Sequence, residues 1–77
     1  MEKQIYTTKE IPFSYYEYSG YRIEIDITDS RRVFQRHVWI RNSGIVEKDD
    51  WIDSSHNNCI ANDELIRKLV HRGYFKI

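Results

Sequence analysis

The segment from Tyr21 to Thr28 constrains the fold more strongly than any other part of the chain. Its large apolar side chains recur at every second position, and these are Tyr21, Ile23, Ile25 and Ile27. Charged or polar residues fill the positions between them, which is the period of a β-strand with one buried and one solvated face. The segment therefore predicts a strand whose apolar face must be covered by another element.

A hairpin is predicted to lead into this strand. Residues 13–18 are rich in the aromatic side chains that pleated sheets favour, and Ser19-Gly20 separates them from Tyr21. Glycine suits a tight turn because it adopts a positive φ without strain. A two-residue turn at Ser19-Gly20 would place Tyr18 opposite Tyr21.

Two further strands and a loop are predicted in the middle of the chain. Residues 33–41 are dense in Val, Phe, Trp and Ile, and residues 42–44 form a short turn into a strand at 45–47. The apolar residues of 33–41 occur at both parities, so the sequence leaves open which face of that strand is buried. The polar residues 48–58 predict a loop in which the Trp51-Ile52 pair tucks back onto the core.

A helix from Asn62 to Arg72 is predicted near the C-terminal end. Its apolar residues share one helical face, and they are Leu65, Ile66, Leu69 and Val70. Asn62 is a favourable N-cap, and acidic residues in the first turn and basic residues in the last turn suit the helix dipole. Gly73 is expected to end the helix, with Tyr74 placed to contact Leu69 as in a Schellman motif.

These elements predict an α+β fold, with a three- or four-stranded antiparallel meander and one C-terminal helix packed on one face. Residues 1–77 form a single domain, within which residues 1–11 are extended or loose. The longest apolar runs are too short to cross a membrane, and the start lacks the apolar part of a signal peptide. A single cysteine, Cys59, cannot form an internal disulfide, and these features together predict a cytoplasmic protein.

Neither catalysis nor metal binding is predicted. Glycine-rich phosphate loops, nucleophile motifs and metalloprotease signatures do not occur in the sequence, so we expect no enzymatic activity and no cofactor. His56 and Cys59 have ligand-like spacing, but structural zinc sites usually combine two such pairs. A calcium loop that began at Asp49 would need Gly where Ser54 stands and Glu where Ile60 stands.

The charges are distributed unevenly although the formal net charge is zero. Residues 29–46 carry four arginines against one aspartate, whereas residues 47–64 carry six carboxylates against one lysine. The arginines surround an aromatic strand, as in surfaces that stack unpaired bases, and the candidate contacts are Arg31, Arg32, Arg36, Trp39 and Arg41. Nucleic-acid binding is the alternative function rather than the first, because domains that grip phosphates usually carry net positive charge.

Aromatic residues point to a protein partner. Six Tyr, three Phe and two Trp exceed what a small sheet under one helix needs, and tyrosine buries much apolar area at low entropy cost. The candidate protein-binding residues are Tyr15, Tyr16, Tyr18 and the acidic Asp49, Asp50 and Asp53, which could imitate phosphate charge. The sequence favours a non-enzymatic protein-binding module, such as a small inhibitor or accessory protein of phage or mobile-element type that occludes a partner's surface. The strand at 13–18 could also pair with its own copy to form a homodimer.

Overall fold

The computed structural model describes residues 2–29, 31–54 and 62–77. In chain order the elements are β1 (Ile5–Thr7), β2 (Ile11–Tyr15), β3 (Tyr18–Asp26), β4 (Phe34–Arg41), β5 (Val46–Lys48), β6 (Ile52–Asp53), α1 (Asn62–His71) and β7 (Phe75–Lys76). The α+β class, the antiparallel sheet and the C-terminal helix are therefore confirmed.

All the described strands belong to one antiparallel sheet that is built around β3 and β4. On the side away from β4, β3 pairs with β2 near its N-terminal end and with β1 near its C-terminal end. On the side away from β3, β4 pairs with β6 near its N-terminal end and with β5 near its C-terminal end. β7 extends the sheet beyond β1, which gives the order β5-β4-β3-β1-β7.

The predicted number of strands, three or four, was wrong, because the described residues form a sheet of seven strands. Four of them, β1, β5, β6 and β7, are only two or three residues long. An alternation of polar and apolar residues needs at least four positions to be visible, so such strands leave almost no trace in a sequence. β6 falls inside the predicted loop 48–58, and β1 falls inside residues 1–11.

The hydrophobic core lies between α1 and one half of the sheet. Ile25, Ile27, Tyr6 and Val33 form a buried cluster with Leu69 of the helix, and Leu65, Ile66 and Tyr74 pack against it. Ile27 is 1% exposed, as expected for the centre of such a layer. This face of the sheet is called the helix face below.

The end of the helix follows the predicted chemistry. Gly73 adopts φ of +97°, its N–H donates to the carbonyl of Val70 at 3.0 Å, and the N–H of Tyr74 donates to the carbonyl of Leu69 at 2.9 Å. These two bonds define a Schellman motif, so the predicted stop is confirmed. The side chain of Asn62, the predicted N-cap, lies outside the described residues.

The register of the β2-β3 hairpin differs from the prediction. The turn is formed by Tyr16 and Glu17, and Tyr15 pairs with Tyr18. Gly20 lies inside β3 rather than in the turn, where it is buried. A Cβ there would approach the backbone oxygen of Ile11 and Cγ of Glu10 to 2.9 Å each, so the close approach of β2 explains the glycine.

Gly20→Ala is therefore expected to lower the free energy of unfolding by about 2 kcal/mol, because the added methyl group forces β2 away from β3. Chemical denaturation followed by circular dichroism measures this change. Ser19→Ala, at the exposed neighbouring position, is the matched control and should change stability by less than about 0.5 kcal/mol. Equal effects of the two substitutions would contradict the explanation.

The facing of β4, which the sequence left open, is resolved by its pairing with β3. Residues directly opposite each other share a face, and the pairs on the helix face are Tyr21 with Trp39, Ile23 with His37 and Ile25 with Gln35. Arg36 and Val38 alternate with these residues and so project from the opposite face. Val38 is nevertheless fully buried, so both faces of β4 are covered in part.

Candidate functional site: an aromatic platform with an acidic rim

The helix covers only part of the helix face, and aromatic side chains occupy the rest. We call this cluster the aromatic platform; its members are Phe13, Tyr15, Tyr16, Tyr18, Tyr21, His37 and Trp39. The ten residues of α1 span about 15 Å, whereas the nine residues of β3 span about 30 Å. The N-terminal half of β3 therefore presents the side chains of Tyr18 and Tyr21 beyond the end of the helical cover.

Trp39 lies at the centre of the platform. Its ring centroid is 5.5 Å from that of Tyr21, its cross-strand partner, and 5.6 Å from that of Tyr18. Phe13 on β2 lies 5.8 Å away, and the imidazole of His37 stacks at 5.4 Å with an interplanar angle of 16°. These are ordinary distances for interacting aromatic pairs. The rings hold one another in place while remaining partly exposed.

The hairpin tip adds an unusual residue to this surface. Tyr16 adopts φ of +48° and its side chain is 84% exposed. A bulky residue in the left-handed region is strained, and glycine is common at such turn positions. Strained conformations of this kind concentrate at functional sites. Tyr16 also contacts Tyr15, with ring centroids 4.3 Å apart.

Carboxylates border the platform and are tied to its rings. Trp39 donates its indole N–H to Asp49 at 3.0 Å, and Tyr18 donates its hydroxyl to Glu47 at 2.9 Å. Arg41 donates to both Glu47 and Glu17. We call Glu17, Glu47 and Asp49 the acidic rim; Glu17 and Glu47 pair with the guanidinium of Arg41, and Asp49 accepts from Trp39.

The hydrogen bonds of the rim raise the pKa of Tyr18 and of Arg41 and lower the pKa of Glu47. The bond donated to Glu47 raises the pKa of Tyr18, because loss of the proton would break that bond and create a second negative charge. The bonds donated by Arg41 and then by Tyr18 lower the pKa of Glu47. Glu47 is therefore ionised at neutral pH and contributes a negative charge to the rim.

Glu47→Ala is expected to lower the pKa of Tyr18 towards its ordinary value of 10.0. Titration of the tyrosine Cζ signals by NMR would resolve the effect residue by residue. Tyr74, whose pKa is raised mainly by burial, serves as an internal reference and should not move. Asp50→Ala, which removes an exposed carboxylate from the same segment, is the matched control. If the pKa of Tyr18 does not change in Glu47→Ala, its hydrogen bond to Glu47 is not the cause of the raised pKa.

The predicted protein-binding residues are divided by the structure. Tyr15, Tyr16, Tyr18 and Asp49 come together in the platform and its rim. Asp50 is exposed in the segment between β5 and β6. Asp53 lies in β6 and pairs with Phe34 of β4, which places Asp53 on the face of the sheet opposite the platform.

The residues predicted to bind nucleic acid are scattered more widely. Arg36 projects from the opposite face, where its guanidinium lies 4.1 Å from the ring of Trp51. Arg31 and Arg32 are exposed in the turn before β4. Their backbone N–H groups donate to the side chain and to the carbonyl of Asp29, respectively. The two that reach the platform are Trp39 and Arg41.

The predicted site residues leave out Phe13, Tyr21, His37, Glu17 and Glu47, although His37 lies on the predicted aromatic strand and Glu47 in the predicted acidic segment. Tyr21 was assigned to the buried strand face, which is its correct parity, and that parity is also the signal for the platform. The predicted helix is too short to cover the whole predicted strand from Tyr21 to Thr28, so part of the apolar face of that strand was bound to remain uncovered.

Comparisons with known proteins found no matching family model, no similar curated protein and no similar solved structure. Within the described ranges, no helix has the length and apolar character needed to cross a membrane. The same ranges contain no group of three or more His, Cys, Asp or Glu side chains placed to hold a metal ion. His56 and Cys59 lie outside them.

Proposed function

We propose that this protein is a non-enzymatic binding module that docks its aromatic platform and acidic rim onto a basic segment of another protein. The observation that carries the proposal is the cluster of partly exposed rings around Trp39 with carboxylates along its border. An inhibitor or accessory protein that occludes its partner's surface would use such a patch.

The chemistry of the platform suits a cationic side chain. A guanidinium or ammonium group is attracted to the face of an aromatic ring, most strongly to that of tryptophan. The carboxylates of Asp49 and Glu47 lie beside the rings and can pair with the same cation. Clustered aromatic residues surrounded by polar groups are also the usual composition of binding hot spots.

Binding of single-stranded nucleic acid is the second candidate, and the stacked pair of His37 and Trp39 is the observation that favours it. Exposed rings stack on unpaired bases regardless of sequence. The acidic rim weighs against it, because Glu17, Glu47 and Asp49 would repel the phosphates that flank a stacked base. The basic protein partner is therefore preferred.

An NMR titration separates the two functions, with the indole N–H of Trp39 as the reporter and that of Trp51 as the reference. The probes are an arginine-rich peptide, its glutamate-rich counterpart and a single-stranded oligonucleotide, at about 50 and about 200 mM salt. We expect the arginine-rich peptide to shift Trp39 and leave Trp51 unchanged.

The other outcomes are equally informative. A shift of Trp39 with the oligonucleotide alone, weakened at the higher salt, would establish the nucleic-acid function instead. No shift with any probe, or an equal shift with the glutamate-rich peptide, would rule out recognition of a basic segment. Concentration-dependent shifts without any probe would indicate that the platform pairs with a second copy of the chain.

A further inference from the structure

The opposite face of the sheet carries a groove of about 690 Å³. Its lining residues come from β7, β1, β3, β4 and β5, from the segment between β1 and β2, and from Ile77, so the groove crosses the strands rather than following one of them. It lies on the other side of the sheet from the aromatic platform. The function proposed for the platform therefore does not involve the groove.

The centre of the groove holds a buried carboxylate with two arginines. Glu24 is 4% exposed and accepts a hydrogen bond from Nε of its cross-strand partner Arg36 at 2.8 Å. Arg22 approaches the other oxygen of Glu24 only to 3.9 Å. The buried Nε–H of Arg22 has no hydrogen-bond partner among the described residues.

This arrangement leaves an excess of positive charge and unused donors. Glu24 neutralises one guanidinium, and Lys9 and Lys48 on the groove walls outnumber Glu10. A guanidinium presents its N–H groups as a planar fork that fits two oxygens of one oxyanion. The side chain of Arg22 is 33% exposed, so its guanidinium group is accessible to a ligand oxygen in the groove. The centre of the groove is complementary to an oxyanion.

One end of the groove is apolar. This end is lined by Ile5 on β1 and by Phe75 and Ile77 at the β7 edge. Phe75 and Ile77 are about half exposed or more. β7 lies two strand spacings from β3, which is about 10 Å. A ligand that reached from Arg22 to this end would need an apolar chain of that length.

We propose that the groove binds a small amphiphilic oxyanion, a carboxylate or phosphate carried on an apolar chain, with the oxyanion on Arg22 and the chain against Phe75 and Ile77. Glu24 is the positioning residue for the arginines, since it holds Arg36 and draws Arg22 towards the centre. The volume of the groove lies within the usual range for small-molecule sites.

Titration with octanoate and with octyl phosphate tests the proposal, with the Nε–H signals of the arginines observed by NMR. Both anions should shift the Arg22 signal, and the one that binds more tightly identifies the head group. Arg22→Gln should weaken binding about tenfold, the effect expected for one charge-assisted hydrogen bond. Arg67→Gln, which changes an exposed arginine of α1, should leave the affinity unchanged.

Three results would overturn the proposal. The first is the absence of an Arg22 shift with both anions. The second is an equal response to neutral octyl glucoside, which would show that the chain binds without its charge. The third is unchanged affinity in Arg22→Gln. If that variant does not fold, Phe75→Ser tests the other end of the groove and should weaken octanoate several-fold while leaving binding of inorganic phosphate unaffected.

Discussion

Trp39→Ala is expected to weaken binding of an arginine-rich peptide roughly thirtyfold, which corresponds to about 2 kcal/mol. The substitution removes the ring that contacts Phe13, Tyr18, Tyr21 and His37, so it deletes one binding surface and loosens the others. It also frees Asp49 from the indole N–H. Isothermal titration calorimetry at low salt measures the change.

The second tryptophan provides a matched control for this prediction. Trp51 packs on Arg36 on the opposite face, so Trp51→Ala removes a ring of the same size without touching the platform. Its affinity for the peptide should equal that of the parent protein. Trp39→Leu keeps apolar bulk but lacks the electron-rich face that attracts a cation, and should therefore bind nearly as weakly as Trp39→Ala. Similar losses in the Trp39 and Trp51 variants would mean that the platform is not the binding surface.

The fold was predictable where its signals are local. The alternation from Tyr21 to Ile27 specifies a strand, and the stop at Gly73 needs only the residues of one helical turn. The hairpin was placed wrongly because the reason for Gly20 is the approach of β2 to β3, a tertiary contact. The actual turn contains Tyr16, which a sequence gives no reason to place at positive φ.

The candidate site was predictable in part for a similar reason. An excess of tyrosine marked Tyr15, Tyr16 and Tyr18, since composition alone shows more aromatic area than a small core needs. Whether Trp39 lies beside them depends on the parity of β4, and that parity is fixed by pairing with β3. The same pairing places Arg36 on the opposite face of the sheet from Trp39 and Arg41, so these three predicted nucleic-acid contacts do not share one surface.

The pairing of β3 with β4 also explains why two different surfaces arise from one pair of strands. On the helix face it joins Tyr21 to Trp39, and on the opposite face it joins Glu24 to Arg36. A shift of one residue would exchange the two sets and bury charges under the helix. Loss of the Glu24–Arg36 pair should therefore lower the stability of the whole sheet.

Arg36→Leu is expected to lower the free energy of unfolding by about 3 kcal/mol. Glu24 would then stay buried, and the ion pair left to it among the described residues would be the one with Arg22 at 3.9 Å. Glu24→Leu should be milder, about 1.5 kcal/mol, because the side chain of Arg36 is 18% exposed against 5% for Glu24 and its charge can be rehydrated. Against a total stability of roughly 4–12 kcal/mol for a domain of this size, either loss is readily measured by urea denaturation.

The double variant tests whether loss of the Glu24–Arg36 ion pair causes the fall in the free energy of unfolding. Replacing both residues by leucine leaves neither charge unpaired, so Glu24→Leu with Arg36→Leu should be more stable than Arg36→Leu alone. Glu64→Leu, which removes one partner of the exposed pair with Lys68, is the control and should change stability by no more than about 0.5 kcal/mol. If the two single effects simply add in the double variant, the carboxylate and the guanidinium contribute to the sheet independently, and the electrostatic explanation is wrong.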